Sequence, residues 1–449
     1  MMSRVYMNGT DYMMSVFDRQ LRTIGCSGNL SHLILGVSLP PDGVALRERL
    51  VQAADALPML SARQKRGWFS LLPYWELPVK NARRPPSLRT VSVDSMKGQS
   101  LETLRAGVFN ESLEVEHGEL VRFTVLQAAD RVEVIMTWAH TLMDARGGET
   151  FLAWIGGGTC AKGYYGTLDP QKAHTRRVVR SEGVWHDMRQ AWKALRWLDH
   201  IGTPPPLSIY TARASQAQPR QSALCLSFSE EETATIRKNS SGLCGFLGET
   251  NYYLASTLVE LDRLCVSCGI PAESYIVNLP SNARDKGRNE PVFSNYSSFI
   301  THYLRKNQVS DLGTAIRALQ FQTRESLGMK LSVAFDCFGT LVRRIPPKPY
   351  WDRMKIALND ELGCMFFANT GNAHSELNRF LGQEVRYLHH ATSVTCPPGL
   401  GVFFHTFQSR LCCTIMLIEG LLDEGEESSF AANLRQRLLH PLDAVGGDA

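Results

Sequence analysis

The sequence predicts a mixed α/β (α+β) protein built in two halves. Helical and strand-like segments alternate along the chain without an internal repeat. A proline-rich break, Gly202-Thr203-Pro204-Pro205-Pro206, interrupts it near the middle. The composition, 44% hydrophobic and 20% charged over 449 residues, is that of a chain able to bury sizeable cores.

In the first half, Leu46, Leu50, Ala53 and Leu57 fall near a 3.6-residue period, an amphipathic helix over 44–57. Two strand-like runs, 120–127 and 131–140, flank the turn Ala128-Ala129-Asp130. In the second run Val132, Val134, Met136 and Trp138 alternate with Glu133, Ile135 and Thr137, which predicts at least one buried face. That strand stops at His140. After Asp144 a helix carries Phe151, Leu152, Trp154 and Ile155 and ends at Gly156-Gly157-Gly158. A basic helical segment, 176–198, then meets the triple proline, which cannot continue a helix. Beyond it the pattern predicts a strand at 223–228, a helix from about Glu230, and a helix over 250–265 with Tyr253, Leu254, Leu258 and Leu261 on one face. Strands follow at 275–279, 298–304, 365–368, 385–389, 401–408 and 411–418, with a closing helix over 430–439. The expected division is an N-terminal lobe at 1–165, a basic helix and linker at 166–221, and a C-terminal lobe at 222–449.

Several function classes are disfavoured. A net charge of +4 over this length argues against a nucleic-acid partner, which needs a concentrated basic excess. Eleven cysteines without a regular framework point to a reducing, cytoplasmic setting rather than to a disulfide scaffold. Cys265 and Cys268 form a lone CxxC without a second pair at zinc spacing, so no metal site is expected. Residues 1–20 mix Arg4, Asp11, Asp18 and Arg19 into their apolar residues, unlike a signal peptide, and no run reaches the ~18 apolar residues of a membrane span.

The chemically informative piece is His140-Thr-Leu-Met-Asp144. An HxxxD pair alone carries little, but this one follows a buried-looking strand and precedes a glycine-rich helix start. Catalytic groups concentrate in such loops held by a scaffold. Imidazole suits proton transfer there because its ordinary pKa of ~6.5 lies near neutrality.

HTLMDARGGE resembles the HxxxDG signature of the thioester-dependent acyltransferase superfamily, which includes chloramphenicol acetyltransferase, BAHD acyltransferases, condensation domains and wax-ester synthases. Further matches follow in order. Val277-Asn-Leu-Pro280-Ser-Asn-Ala-Arg284 looks like the superfamily's strand ending in P-x-x-x-R. Phe293-Ser294-Asn295-Tyr296 stands where relatives carry Gly-Asn, Phe367-Ala368-Asn369-Thr370-Gly371 resembles a Ser-Asn-x-Gly strand end, and 398–404 resembles the closing hairpin. The departures are Ala145 for the Gly after Asp, Ala139 for a second His, Ser294 for Gly, and the absence of DFGWG.

The resemblance implies two chloramphenicol-acetyltransferase-like lobes, each a mixed sheet flanked by helices, with an active-site tunnel between them. In it His140 is the general base on a hydroxyl or amine acceptor, and the acyl donor is acyl-CoA or a phosphopantetheinyl acyl carrier protein. No bound cofactor is implied. Asp144 and Arg284 would pair to shape the His loop, and Asn295 or Asn369 would contribute to the oxyanion or substrate site.

Two further patterns carry expectations. Trp185, Met188, Trp192 and Leu195 form one stripe of the basic helix, read as packing on the core; Arg189, Lys193 and Arg196 form another, a candidate donor-attracting face. Phe335-Asp336-Cys-Phe-Gly-Thr-Leu341 looks like the first motif of haloacid-dehalogenase-type hydrolases, with Asp336 as nucleophile. Too little chain follows for such a domain, so the segment reads as a strand and turn in the second half. A scaffold that recruits partners without catalysis is the other alternative to an enzyme.

Overall fold

The computed structural model describes residues 4–93, 100–157, 183–201, 204–245, 248–282, 292–356 and 358–441. Its strands are β1 (Arg4–Tyr6), β2 (Leu30–Val37), β3 (Arg63–Arg66), β4 (Pro73–Glu76), β5 (Ser87–Ser92), β6 (Val121–Gln127), β7 (Val132–Ala139), β8 (Gln221–Ser227), β9 (Ser274–Asn282), β10 (Ser297–Arg305), β11 (Phe366–Asn372), β12 (Arg379–Phe380), β13 (Gln383–Thr392), β14 (Leu400–Phe407) and β15 (Arg410–Ile418). The helices are α1 (Gly9–Thr23), α2 (Gly43–Ala56), α3 (Leu101–Phe109), α4 (Ala145–Ile155), α5 (Val184–Ile201), α6 (Ile209–Arg213), α7 (Glu230–Cys244), α8 (Glu249–Ser267), α9 (Lys306–Val309), α10 (Leu312–Gly328), α11 (Leu331–Val342), α12 (Pro347–Ile356) and α13 (Glu424–Leu439). Together they make a mixed α/β molecule of two lobes.

The first lobe is built on a six-stranded sheet ordered β12-β13-β2-β7-β6-β5. The β5–β6 pair is parallel and the others antiparallel, so the sheet is mixed. β2 (LSHLILGV) and β7 are buried at every position, which is why their sequences are apolar almost throughout rather than alternating. The second lobe carries the four-stranded sheet β11-β14-β15-β8, again with one parallel pair, β11–β14. The β9–β10 hairpin is a separate two-stranded sheet beside it. Each lobe has its own core, around Leu35, Phe123, Met136 and Phe151 in the first and around Tyr253, Leu258, Phe404 and Ile415 in the second.

The lobes are not consecutive in the chain. β12 and β13 lie beyond the proline break yet complete the sheet of the first lobe, β13 running antiparallel to β2. The first lobe therefore extends beyond the expected 1–165.

Two segments differ from the sequence reading. The stretch around Asp336 is the helix α11 rather than a strand and turn, so Asp336 sits mid-helix and not at the strand end that a hydrolase nucleophile requires. In α5 the expected apolar stripe is not the packing face: Trp185 is 83% and Trp192 63% exposed. The helix instead lies along α11 and buries Ala191, Ala194, Trp197 and Ile201. The small alanines let the two axes approach, a gain that hydrophobicity alone does not reveal. Residues 176–182 of the expected basic helix lie outside the described residues.

The closing helix α13 is anchored by a buried ion pair. Arg437 Nε donates to Glu260 Oε1 of α8, and each residue is 2% exposed. About two turns earlier in α8, Tyr252 Oη donates to the Leu438 carbonyl at 2.8 Å. Removing one partner strands the other charge in the core. Glu260→Ala is therefore expected to lower unfolding free energy by about 3–5 kcal/mol, and Glu260→Leu combined with Arg437→Leu to recover most of it. Urea denaturation of the three proteins measures this, and a loss below about 1 kcal/mol for Glu260→Ala would contradict it.

Candidate active site

β7 delivers His140 to the seam between the lobes. Its backbone N–H donates to the Asn29 carbonyl at 3.0 Å, and the Trp138 indole donates to the Met143 carbonyl at 2.9 Å, closing the turn after the strand. Asp144 then caps α4: Oδ1 accepts from Gly147 N and Oδ2 from Tyr296 N, both at 2.9 Å. The second contact comes from the other half of the chain. A Cβ on Gly147 would lie 2.1 Å from the Val292 carbonyl oxygen, so glycine is needed where this helix start meets the opposite loop. Arg284 lies in 283–291, outside the described residues, and its expected pairing with Asp144 with it.

The loop from the other half is held by a residue that motif reading passed over. Asp11, in the first turn of α1, is fully buried and accepts from Ser294 Oγ (2.6 Å), Asn295 N (2.7 Å), Asn295 Nδ2 (3.0 Å) and Asn8 N (3.2 Å). Ser294 N donates to the Leu142 carbonyl at 2.7 Å. Ser294 has φ +90°, a conformation that favours glycine, which accounts for the Gly of Gly-Asn in the resembled motif. Here the serine hydroxyl offsets that strain by bonding to Asp11. Asn295 Nδ2 also donates to the His140 carbonyl at 2.9 Å. Its amide hydrogens and its backbone N–H are thus already engaged, so its geometry is that of a positioning residue rather than an oxyanion donor.

Asn369, on β11, lines the same cavity; its Nδ2 donates to Thr250 Oγ1 at 3.0 Å and its Oδ1 accepts from Gly371 N at 3.0 Å. Arg196 lines the cavity beside Trp192 and Leu195, whereas Arg189 is exposed and away from it and Lys193 Nζ donates to the Met329 carbonyl. The three basic residues therefore do not act as one face.

The cavity itself has a volume of about 730 Å³ and runs between the lobes, with His140 and Asp144 from one and Asn278, Phe366 and Phe404 from the other on its wall. Met13, Phe17, Phe299, Phe335 and Phe338 make much of that wall apolar. His140 is half-buried, with Nδ1 enclosed and without a hydrogen-bond partner among the described residues. Burial holds its pKa below the ordinary imidazole value; its own carbonyl, the Asp144 charge, Asn295 and the Met143 carbonyl oppose this without reversing it. Burial thus favours the neutral imidazole. A second histidine that the sequence did not signal, His390 of β13, also reaches the cavity and shares a 2.9 Å hydrogen bond with Glu149 Oε1 of α4. Burial raises the Glu149 pKa, but the His390 bond and charge and Arg146 outweigh it and leave the carboxyl below its usual range.

No protein-family model and no curated protein sequence matches the chain. Solved structures do. The first condensation domain of the calcium-dependent antibiotic synthetase superposes with a TM-score of 0.69 at 12% identity over 98% of each chain. A trichothecene 15-O-acetyltransferase from Fusarium sporotrichioides gives 0.67 at 11% identity, covering 98% of this chain and 95% of that one. The epimerization domain from the third module of tyrocidine synthetase B gives 0.61 at 14% identity over 98% and 96%. The chain shares their two-lobed fold along nearly its whole length.

Asp11 yields a pH prediction. Burial raises its pKa to about 6, against the lowering effect of Ser294, Asn295 and Asn8. A carboxyl raised above its unfolded ~3.9 favours the fold while neutral, so its contribution is present below about pH 4 and lost as pH rises through about 6. The stability of the wild type minus that of the non-titrating Asp11→Asn should fall by roughly 3 kcal/mol across that window, measured by denaturation at each pH. A difference that stays flat or grows would contradict the assignment.

Proposed function

We propose that this protein is an acyltransferase that moves an acyl group from a CoA or carrier-protein thioester to a hydroxyl or amine, with His140 as general base. The observation that carries this reading is a histidine at the end of β7 on the wall of a cavity that both lobes enclose, where burial favours its neutral form. With Nδ1 enclosed, Nε2 is the nitrogen left to the cavity. It takes the proton of the acceptor as the acceptor oxygen or nitrogen attacks the thioester carbonyl. The tetrahedral adduct collapses by breaking the C–S bond, and the imidazolium returns its proton to the leaving sulfur. No acyl-enzyme is needed, and no cysteine takes part.

Asp144, capping α4 while bonded to Tyr296 N, holds the His140 loop in shape rather than relaying protons, and Arg284 is its proposed ionic partner. The phenylalanine-rich wall suits an apolar acyl chain or acceptor. The acetyltransferase and the condensation domains among the structural relatives support the transfer class. Condensation domains of synthetases favour a carrier-borne donor, with CoA as the alternative.

His140→Ala should leave a folded protein with turnover reduced about 10²- to 10⁴-fold, the usual worth of a general base. The depressed pKa places the acid limb of kcat/KM below ~6.5, so wild-type activity persists under mildly acidic conditions. Thioester release followed by mass spectrometry over a pH series checks both, and near-wild-type rates for His140→Ala would end the mechanism. Arg196→Glu, at the cavity, should raise the KM for the donor with little change in kcat, whereas Arg189→Glu, away from it, should change KM far less. Equal effects of the two, measured at low ionic strength, would mean that charge acts without regard to place.

A further inference from the structure

Three side chains with no part in this chemistry converge where the two large sheets meet. His389 lies on β13, His405 on β14 and Cys412 on β15, and all are buried, at 5%, 0% and 4% exposure. Their nearest ligand atoms lie within 4.8 Å of one another. Register explains this: His405 and Cys412 are directly paired across β14–β15, so their side chains leave the same face. β13 brings His389 in from the sheet of the first lobe, its ring 6.1 Å from that of His405 and edge-on to it.

The bonding pattern leaves ligand atoms unspent. His405 Nε2 meets the Leu388 carbonyl at 2.7 Å. A carbonyl only accepts, so Nε2 carries the proton and Nδ1 presents its lone pair. That Nδ1 and the Nδ1 of His389 are both buried without a hydrogen-bond partner among the described residues. An orphaned buried polar atom is costly, and this cluster of two imidazoles and a thiol holds two of them. Cys412 Sγ makes a weak 3.9 Å contact to the Arg410 carbonyl and a side-chain hydrogen bond with Ser227, the residue paired with it on β8.

We propose that His389 Nδ1, His405 Nδ1 and Cys412 Sγ bind one thiophilic transition-metal ion of the Zn²⁺ class, as a structural clamp between the sheets. Two imidazoles and a thiolate are a ligand set such ions prefer. Zn–N and Zn–S bonds of ~2.0–2.3 Å place ligand atoms roughly 3.5 Å apart, so the cluster needs to close by about 1 Å. The Leu388 carbonyl is the outer partner that orients a metal-bound histidine. Burial holds His389 at about 4 and His405 well below the ordinary imidazole value, so both are in the neutral, ligating form. Burial pushes the Cys412 thiol up to about 12, and binding the ion releases that proton to solvent. The Arg105 charge near His389 is met by Glu133, 3.4 Å from it. None of the three ligands lines the cavity, although His390, next in sequence to His389, does. The ion would brace one wall of the tunnel from behind and take no part in transfer.

The test needs no substrate. Purified wild type is assayed for metal by elemental mass spectrometry, then stripped and titrated with Co²⁺ alone. The expected result is one retained equivalent of zinc and a thiolate-to-cobalt charge-transfer band that saturates at one equivalent. The band is lost in Cys412→Ser and in His389→Gln and kept in Cys244→Ser, and EDTA lowers the Tm of wild type but not of Cys412→Ser. Absence of both zinc and the cobalt band in wild type overturns the proposal whether or not the variants fold. A band that survives in folded Cys412→Ser, checked by circular dichroism, overturns it as well.

Discussion

The buried carboxylate of Asp11 is the point on which the arrangement of the site depends. It lies in the first turn of α1 and gathers donors from Asn8 and from the Ser294–Asn295 loop, far apart in the chain. Asn295 carries the constraint onward to the His140 carbonyl, and Ser294 to that of Leu142. A carboxylate without water must find such donors or take up a proton, and its raised pKa shows that the bonds compensate only in part. The same group therefore fixes the loop beneath the histidine and makes that support sensitive to pH.

The consequence is a histidine held from both lobes. Its N–H is bound to the first lobe through Asn29 and its carbonyl to the opposite loop through Asn295, while Asp144 spans the same seam to Tyr296 N. β13 strengthens this union by leaving the second half of the chain to complete the first lobe's sheet. A cavity between lobes tied at these points keeps its shape, and under the proposed function its phenylalanine-rich wall would keep water away from a thioester. Such pre-positioning supplies much of what an acyl transfer requires beyond a base.

What could be read from the sequence was what is local. β7 ending at His140, with Asp144 and then a helix behind it, follows from contiguous residues whose burial and capping are encoded side by side. The antiparallel pairs β6–β7 and β14–β15 are likewise joined by short turns. Asp11 gave no such signal, because it resembles an ordinary capping residue until the Ser294 loop closes over it. His390 depends on how β13 packs against α4, and the His389–His405–Cys412 cluster on the meeting of strands from different sheets, which no spacing rule contains. The orientation of α5 was misread because two alanines, rather than two tryptophans, decide which face packs. The helix at Asp336 was misread because a short apolar run with a motif-like look does not distinguish strand from helix.

The most direct test of the account is a structure of the protein with a non-hydrolysable acyl-pantetheine analogue, a thioether or amide in place of the thioester. The account predicts that the arm enters the tunnel and sets the carbon that replaces the thioester carbonyl beside His140, leaving room for an acceptor atom about 3–3.5 Å from that carbon and within hydrogen-bond reach of Nε2. An analogue bound with its acyl group away from His140, or one that occupies a site outside the tunnel, would contradict it.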